Sequence, residues 1–492
     1  ERGGVTVSLR NFWKLWPKSI GADERGVQVS IMPDLPADEY ADIDHELEDK
    51  LYFAVMGGVH KLHRGVAKTH ELLVDFHAAG DDPGVVEDLT AQCNLPPVAA
   101  ATAGWYAYSG AFWHITPRVE GEFDRYEQFV DEILAGFLRG REQGREYGML
   151  NFGDWWGERG FNWGNIEYDT QHGMMMQFAR TRERAWFDNA VRAARHNLDV
   201  DMIHHAAPGQ KLGVPYCHCL CHTGDYYPKG YRPTGIFGGG SNSGHLWTRG
   251  NLEYALMTGD ERAMRVALRT ADWLAGDYMV GYRMSKGAER ATAWPLFGVM
   301  AAYHVTGDEY YLNAAHIITR EVIREQNPEK GHWDIPAGYS KVIPMPIGGY
   351  AWCAGLLLTS LEMANEYLQD PELDRTYVKA AEWLARDEWI PDRKGFRSTS
   401  CNSVNAAVTP GFECYRTPTA MLHAYELTGD RKFLDIAHVG FSYAVRRGAG
   451  SSKGGSTQLT LTPHILPKLK AAGITSLDTS QWEENVRLQA RD

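Results

Sequence analysis

The chain has 492 residues and a formal net charge of -13. This acidic balance argues against general affinity for nucleic acids or anionic lipid surfaces, because long-range repulsion opposes both. No stretch of about 18 residues is both apolar and free of charge, so the sequence predicts no transmembrane helix. Hydrophobic residues make up 44% of the chain, which is ample for a large core. The length predicts about two to four domains.

The cysteine content bears on the cellular compartment. Seven cysteines are an odd number in a long chain, and this does not resemble a secreted disulfide framework. The count therefore favours a reducing cytoplasm. Secretion is the alternative, because the chain opens directly on ERGGVTVSLRNFW, as though an upstream segment had been removed or not included.

Apolar and polar residues alternate in the first part of the chain, as in VTVSLRNFW, VQVSIMP, LYFAV and ELLVDFH between Val5 and His77. Alternation bounded by Gly, Pro and Asp predicts a small antiparallel sheet. We assign residues 1–120 to an N-terminal β-rich domain, and we expect this domain to be incomplete.

The hydrophobic period then changes to three and four residues, as in DRYEQFVDEILAGFLRGREQ, which predicts helices. Three later helix pairs share a Thr-Gly-Asp junction, centred on Gly259, Gly307 and Gly429. Glycine suits the left-handed residue that ends one helix, and aspartate suits the N-cap of the next. Looser versions occur around Thr181 and Asp370, so the sequence predicts five such hairpins.

Tandem hairpins of about 50 residues must bury their inner faces on one another, as a superhelical solenoid or as a closed toroid. Long loops rich in Gly, Trp and His fall between the hairpins, as is typical of a barrel with a site at one end. The predicted fold is therefore mainly α, an (α/α) toroid of about six to seven helix hairpins over residues 121–450, behind the antiparallel β domain. Residues 451–492 are predicted as a C-terminal tail. In this tail RRGAGSSKGGST is expected to be flexible and PHILPKLKAAG to be helical.

The segment PYCHCLCHTGDYYPKGY raises the question of a metal site. In an extended segment Cys217, Cys219 and Cys221 share one face, while His218 and His222 share the other. Zinc sites usually pair their ligands as C-x2-C, and no second Cys/His pair completes this pattern, so we predict no metal here. The thiols are then buried hydrophobes, and the histidine face lines a pocket together with the residues that follow.

A second stretch, NFGDWWGERGFNWGNIEYDTQHG, mixes three tryptophans, four acids, an arginine and a histidine with glycines. As a whole this mixture is poor core material, whereas flat aromatic faces suit sugar rings. For any single residue, core packing or solvation remains the alternative.

Between residues 60 and 70 the chain carries Lys61, His63, Arg64 and Lys68 and no acid. This is the clearest local departure from the overall negative charge. Either a solvated basic strand or a site for a carboxylated ligand explains it. The glycine-rich loop GGGSNSG further on matches no P-loop or dinucleotide fingerprint, so we discount phosphate binding there.

Two reactions fit a toroid whose loops are rich in acids, His, Tyr and Arg. Glycoside hydrolysis uses two carboxyl groups that flank the bond. In β-elimination on a uronic acid, a cation neutralises the carboxylate, a base takes the C5 proton and an acid protonates the leaving oxygen. The many His, Tyr, Arg and Lys residues favour elimination. The carboxyl groups available for hydrolysis are those of Asp154, Glu158, Glu167 and Asp169.

The chain resembles a known family in the order of VSLRNFWKLWPKSI, HRGVAKTHELLVDFH, NFGDWWGERGFNWGNIEYDTQHG, CHTGDYYP and GHLWTRGNLEYALMTGD. The family that it resembles is the exo-rhamnogalacturonan lyase-like family, polysaccharide lyase family 26 and its relatives. The resemblance covers roughly residues 5–450. The resemblance implies an (α/α) toroid flanked by β-sheet domains and exolytic β-elimination at a rhamnose–galacturonate linkage. The short flanking regions leave other linkages open, such as rhamnose–glucuronate. The expected partner is an acidic oligo- or polysaccharide, and the sequence leaves the oligomeric state open.

The matching motifs supply a hypothesis for the site. The six catalytic candidates are Lys68, Arg159, His172, His222, Tyr226 and His245. Lys68 and Arg159, with Arg249, would hold the uronate carboxylate. Tyr226 or His222 would take the C5 proton, and one of the other two histidines would be the partner acid or a sugar contact. The substrate-binding candidates are His63, Arg64, His70, Trp155, Trp156, Glu158, Trp163, Tyr227, Trp247 and Arg249.

No cofactor is required by the sequence. Calcium could neutralise the substrate carboxylate at Asp154, Glu158 and Asp169, although no calcium-loop pattern is present. The competing class is a non-catalytic helical-repeat protein that binds carbohydrate or protein. An enzyme requires the six catalytic candidates to converge on one concave pocket, whereas a scaffold would scatter them over its surface.

Overall fold

The computed structural model describes residues 3–34, 62, 64–78, 80–158, 162–206, 211–217, 222, 243–284, 289–336, 347–400, 408–409 and 413–478. The chain divides into two compact units. Unit 1 comprises residues 1–101, 140–166 and 191–241, and unit 2 comprises 102–139, 167–190 and 242–492. The domain boundaries near residues 120 and 450 stay a prediction.

The structure is mainly helical. The α-helices are α1 (Pro83–Asn94), α2 (Ala103–Ser109), α3 (Asp124–Gly144), α4 (Thr170–Thr181), α5 (Arg184–His196), α6 (Arg249–Thr258), α7 (Glu261–Ala275), α8 (Arg290–Thr306), α9 (Glu309–Glu325), α10 (Ala351–Leu368), α11 (Pro371–Trp383), α12 (Thr417–Thr428), α13 (Arg431–Arg446), α14 (Ser452–Leu461) and α15 (Ile465–Ala471). The π-helices are Asn197–Asp201 and Leu384–Glu388, and the 3-10 turns are Asp277–Met279, Pro391–Arg393, Glu413–Tyr415 and Thr462–His464. None of the described helices is long and apolar enough to cross a membrane.

The strands are short. They are β1 (Gly3–Leu9), β2 (Ser19–Asp23), β3 (Gly26–Ser30), β4 (Leu72–Ala78), β5 (Trp156–Glu158), β6 (Asn162–Trp163), β7 (Ile335–Pro336), β8 (Ile347–Gly348), β9 (Trp389–Ile390), β10 (Gly395–Arg397) and β11 (Val408–Thr409). β9, β10 and β11 form a three-stranded antiparallel sheet, and the other described strands form antiparallel pairs.

Unit 1 contains the antiparallel strands predicted near the N-terminus. β1 pairs with β4, and β2 pairs with β3. Among the described residues of unit 1, these strands form two separate pairs and not one sheet. The β2–β3 hairpin is exposed along most of its length, so it offers no buried face on which a larger sheet could be built. The segment LYFAV lies outside the described residues.

Unit 2 is a ring of helices in which inner and outer helices alternate along the chain. The inner helices α4, α6, α8, α10 and α12 contact one another in this order, and α14 contacts α4, which closes the ring. The helices α8 and α10 are apolar and buried around most of their circumference, as is typical of helices enclosed by others. Unit 2 is therefore an (α/α) toroid, as predicted.

The Thr-Gly-Asp junctions have the predicted geometry. Gly259, Gly307 and Gly429 end their helices at φ of 72°, 68° and 69°. The aspartate after each glycine accepts a backbone N–H from the first turn of the next helix. At the two looser junctions, Arg182 and Gln369 take the left-handed position at φ of 66° and 50°. Local chemistry thus defines where each hairpin turns.

The structure differs from the sequence prediction at residues 452–457. They were expected to be flexible, but they form the first part of α14, which closes the ring. Gly455 permits this packing, because a Cβ at that position would lie 2.7 Å from Cε2 of Phe137 and 3.0 Å from Cγ2 of Ile133. The glycine therefore serves close helix approach and not flexibility. The helix predicted in PHILPKLKAAG is confirmed as α15.

Candidate functional site

Four inner helices of unit 2 have a basic side chain at or next to their first residue. Because each inner helix is followed by an outer one that runs back, the N-termini of the inner helices share one end of the ring. Arg249 and Arg290 are the first residues of α6 and α8. Arg416 directly precedes α12, and Lys453 is the second residue of α14. The long loops of the sequence lead into these positions.

Three of these cations lie near the aromatic ring of Tyr168, which shortly precedes α4. The guanidinium carbons of Arg290 and Arg416 lie 4.6 and 4.5 Å from its ring centroid. The Lys453 ammonium lies 5.8 Å from the same centroid. Arg290 also donates a hydrogen bond of 2.9 Å to the Tyr168 hydroxyl. We call Tyr168, Arg290, Arg416, Lys453 and the neighbouring Glu167 the Tyr168 cluster.

Glu167 is the carboxylate of this cluster and is fully buried. Arg290 Nη2 lies 2.9 Å from its Oε1, and Lys453 Nζ lies 2.8 Å from its Oε2. His245 Nε2 lies 3.5 Å from Oε1. Burial raises the pKa of Glu167, but Lys453, His245 and Arg290 outweigh it and hold the pKa well below its usual value. Glu167 is therefore ionised, and the cluster has three cations against one carboxylate.

Glu289, the residue before Arg290, has the opposite protonation. It is fully buried, and burial raises its pKa to about 8. Its Oε1 accepts the backbone N–H of Tyr350 at 3.2 Å. At neutral pH this carboxyl group is mostly protonated and is able to donate a proton. The surroundings of Glu167 lower its pKa, whereas those of Glu289 raise its pKa, so one carboxyl group is ionised and the other is protonated. This pattern is typical of acid and base pairs in active sites.

A second polar group lies on α4 and α6. His172 Nε2 is 2.6 Å from Arg249 Nη2, and its Nδ1 is 2.7 Å from Glu253 Oε1. Burial and then the charge of Arg249 lower the pKa of His172 well below its ordinary value, so the imidazole is neutral. Arg249 and Glu253 line a cavity of about 200 Å³ together with Trp113 and His304. The predicted candidates His172 and Arg249 are thus brought together.

The basic stretch around Lys68 belongs to unit 1. Its described residues have irregular backbone and are not a strand. The Lys68 ammonium lies 3.8 Å from Asp199, and the backbone N–H of Thr69 donates to the same carboxylate at 2.8 Å. His70 is half-buried, and burial, followed by Lys18 and Lys68, lowers its pKa to about 4. Arg64 is exposed. This stretch is therefore anchored to Asp199 through Lys68.

His222 is fully buried in unit 1. Its Nδ1 faces two carboxylates, 3.3 Å from Asp201 and 3.5 Å from Asp154. His196 Nε2 faces the same pair. Burial, and then Asp201, raises the pKa of Asp154 to about 7. The pKa of Asp201 is lowered to about 2, since the two histidines outweigh the effect of burial. These four side chains have the spacing of metal ligands.

The tryptophans predicted to bind substrate are mostly buried. Trp155, Trp163 and Trp247 are 3%, 0% and 1% exposed, and Trp156 is partly buried. Trp163 packs edge-on against Trp156 at 5.3 Å between ring centroids. Trp247 packs against Trp294 at 4.7 Å. In this structure these tryptophan faces therefore contact protein, and their role in substrate binding stays a prediction.

Several predicted residues lie outside the described part of the chain. These are His63, Arg159, Tyr226 and Tyr227, together with the side chain of Glu158. The convergence of the six catalytic candidates on one pocket stays a prediction. Five residues described above were not predicted from the sequence as site residues: Tyr168, Glu289, Arg290, Arg416 and Lys453. Their position at or just before the start of an inner helix is the feature that could have identified them.

Comparison with known proteins supports the fold. No protein-family model matches the chain, and no curated protein matches it. Cellobiose 2-epimerase from Spirochaeta thermophila has a TM-score of 0.51 at 14% identity, over 71% of this chain and 96% of that one. A sugar epimerase from a ruminal bacterium has a TM-score of 0.50 at 10% identity, over 71% and 98%. A polysaccharide lyase has a TM-score of 0.48 at 12% identity, over 70% and 98%.

These similar structures are (α/α)-toroid enzymes that process sugars. Because the two epimerases are only 14% and 10% identical to this chain, the structural similarity establishes the fold and no more than the fold. Membership of the exo-rhamnogalacturonan lyase-like family stays a prediction. What the comparisons and the ring of inner helices together establish is an (α/α) toroid with a cationic cluster at the N-terminal end of its inner helices.

Proposed function

We propose that this protein is an enzyme that processes an acidic saccharide, and that it cleaves a linkage beside a uronic acid by β-elimination at the Tyr168 cluster. The supporting observation is the local excess of positive charge. Three cations surround Tyr168, while Glu167 is the one carboxylate of the cluster and is already ionised. In a chain with a net charge of -13, such a local excess favours a negatively charged ligand.

We assign Arg416 and Lys453 to the uronate carboxylate, and Lys453 would share its ammonium between Glu167 and the substrate. Arg290 is engaged by Glu167, Tyr168 and the carbonyl of Gly244 and serves to position them. Neutralising a uronate makes its C5 proton more acidic, since the carbanion formed by its removal is stabilised. Binding and activation of the substrate then follow from the same two side chains.

His245 is the base in this proposal, and Glu289 is the acid. The sequence predicted His245 as an acid or a sugar contact. We assign it as the base because its Nε2 lies 3.5 Å from Glu167 Oε1, and such a carboxylate can orient an imidazole that takes a proton. The C5 proton passes to His245, a double bond forms between C4 and C5, and the bond from C4 to the leaving oxygen breaks. Glu289, with its raised pKa, gives the leaving oxygen its proton. The resemblance in sequence favours a rhamnose–uronate linkage and exolytic cleavage.

Hydrolysis is the second candidate, and one observation favours it. A protonated Glu289 and an ionised Glu167 are the combination that glycoside hydrolases use. Two cations already engage Glu167, however, which weakens it as a nucleophile or base. We therefore rank elimination first.

A product-resolved assay tests the proposal. The purified chain is incubated with rhamnogalacturonan and with polymers that contain rhamnose–glucuronate linkages. Elimination gives an unsaturated uronate that absorbs in the ultraviolet, and hydrolysis gives a saturated product that is heavier by one water in mass spectrometry. Saccharide release without unsaturation would favour hydrolysis. Binding without any release would favour a non-catalytic carbohydrate-binding protein.

Two matched variants connect the activity to the cluster. Arg416→Gln should lower kcat/KM strongly, because it removes a cation that we assign to the substrate carboxylate. Arg386→Gln, at a solvent-exposed pair with Asp387, should leave kcat/KM unchanged. Equal activity of the two variants would place the uronate site elsewhere.

A further inference from the structure

Unit 1 contains four buried side chains that the proposed reaction does not use. They are Asp154, His196, Asp201 and His222, and each is at most 2% exposed. One nitrogen or oxygen atom of each lies within 4.8 Å of those of the other three. These residues come from three separate parts of the sequence, so only the folded chain assembles them.

The distances between these atoms fit a shared metal centre. His196 Nε2 lies 3.1 Å from Asp201 Oδ1 and 3.7 Å from Asp154 Oδ2. His222 Nδ1 lies 3.3 and 3.5 Å from the same two oxygens. In a tetrahedral zinc site with bonds of about 2.0–2.1 Å, neighbouring ligand atoms are about 3.3–3.4 Å apart. All four measured distances join the same two nitrogen atoms to the same two oxygen atoms. They lie on both sides of the separation expected between zinc ligands.

Surrounding polar groups orient the ligands. Asn151 Oδ1 lies 3.1 Å from His222 Nε2. Because this oxygen accepts the Nε2–H, a neutral His222 presents the lone pair of Nδ1 to the two carboxylates. Asn197 donates to Asp201 Oδ2 at 2.9 Å and leaves Oδ1 toward the histidines. The backbone N–H of Asn165 donates to Asp154 at 2.8 Å. Such contacts are typical of the groups that hold metal ligands in place.

Charge also favours a cation at this point. Among the residues that the structure describes, the ion-pair partners of Asp154 and Asp201 are histidines, and neither carboxylate pairs with a lysine or arginine. The two carboxylates lie close together and repel, and a positive ion between the four side chains removes this repulsion. Each histidine would then offer the ion the lone pair of the nitrogen that faces the carboxylates.

A second group in unit 2 provides a contrast. Glu362, His423 and Glu426 also have the spacing of metal ligands. There the Lys468 ammonium lies 2.7 Å from Glu362 and 2.5 Å from Glu426. A side-chain cation thus already occupies the position that a metal would take, which makes this group a suitable control.

We propose that Asp154, His196, Asp201 and His222 bind one zinc ion in a closed tetrahedral site. Two imidazole nitrogens suit zinc, whereas calcium takes six to eight oxygen ligands. Four protein ligands and complete burial leave no open position for substrate, so the ion has a structural role. It would tie the segment around Asp154 to the π-helix and to His222 within unit 1.

The test begins with the metal content of the full-length chain, purified without a polyhistidine tag and without chelator. Elemental mass spectrometry should find one zinc ion per chain that survives dialysis. Removal by a strong chelator should lower Tm, and added zinc should restore it. Cobalt exchanged into the apoprotein should give the intense visible bands of a tetrahedral site.

Three variants assign the ion to these residues. Asp201→Asn preserves shape but removes a charged ligand, so zinc should be lost. Asn151→Ala removes a positioning contact and should weaken zinc affinity by about 10–100-fold. Glu362→Gln, in the Lys468-paired control group, should retain one zinc ion per chain. If Asp201→Asn does not fold, the cobalt spectrum of the wild-type chain still shows whether a tetrahedral metal site is present.

Several results would overturn the proposal. Only traces of zinc, both as purified and after reconstitution, together with no tetrahedral cobalt bands, would leave the four residues as a hydrogen-bonded network. Another metal at one ion per chain would reject the assignment to zinc. Full zinc retention in Asp201→Asn would place the ion elsewhere.

Discussion

The Lys453 ammonium lies 2.8 Å from the carboxylate of Glu167, although the two residues are far apart in the sequence. Glu167 shortly precedes α4, and Lys453 is in the first turn of α14. Beside this pair, Thr460 donates a hydrogen bond of 2.6 Å to the carbonyl of Tyr168. The ring of inner helices is therefore closed by polar contacts at the place where the cationic cluster forms.

Lys453→Met should lower the free energy of unfolding by about 1–3 kcal/mol, because a buried carboxylate loses one charged partner and keeps another. Urea denaturation, followed by circular dichroism, measures the free energy of unfolding of the variant and of the wild-type chain. Lys432→Met, at an exposed pair with Glu382, is the control and should cost about 1 kcal/mol or less. Equal losses in both variants would contradict a special role of the Lys453 contact in closing the ring.

Neighbouring glycines of α14 should respond in opposite ways to alanine. A Cβ at Gly454 meets no atom within 4 Å, whereas one at Gly455 would lie 2.7 Å from Phe137. Gly454→Ala should stabilise by about 0.5–1 kcal/mol through helix propensity. Gly455→Ala should destabilise by about 1–3 kcal/mol through overpacking. Thermal and urea unfolding of the two variants provide the comparison, and a stabilised Gly455→Ala would show that α14 is not tightly packed.

Glu289 should make stability depend on pH. Burial raises its pKa from 4.5 to about 8 in the folded chain. Between these values the folded state holds a proton that the unfolded state has released, so the free energy of unfolding falls as pH rises through this range. The change should be on the order of a few kcal/mol. Glu289→Gln stays neutral and should flatten the slope in urea titrations across pH. An unchanged slope would mean that Glu289 is ionised when folded.

Arg290→Lys should impair the proposed reaction although the charge is conserved. Arg290 reaches Glu167, the Tyr168 hydroxyl and the Gly244 carbonyl at once, which a lysine cannot do. Loss of a charge-assisted hydrogen bond worth about 1.5–3 kcal/mol corresponds to a fall in kcat/KM of about 10–150-fold. The exposed substitution Arg386→Lys is the matched control. Full activity of Arg290→Lys would show that only the charge at this position matters.

Local signals in the sequence were sufficient to predict the hairpins and thereby the fold class. The hydrophobic period places the helices, and each Thr-Gly-Asp junction uses local chemistry, a left-handed glycine at φ near 70° and a capping aspartate. These effects act over a few residues, so no knowledge of distant contacts is needed. Alternation likewise predicted strands near the N-terminus, but their pairing into two separate pairs depends on which faces are buried.

Which side chains contact one another depends on the tertiary fold. No sequence motif marks the members of the Tyr168 cluster, which include Tyr168, Arg290, Arg416 and Lys453. They form one cluster because the inner helices all begin at the same end of the ring. His222 illustrates the limit most clearly. The prediction for PYCHCLCHTGDYYPKGY assumed an extended segment, but His222 has a left-handed φ of 62°, so the alternation argument does not apply at this residue. Its neighbours in space are carboxylates and an imidazole from other parts of the chain, and the spacing of cysteines carries no information about them.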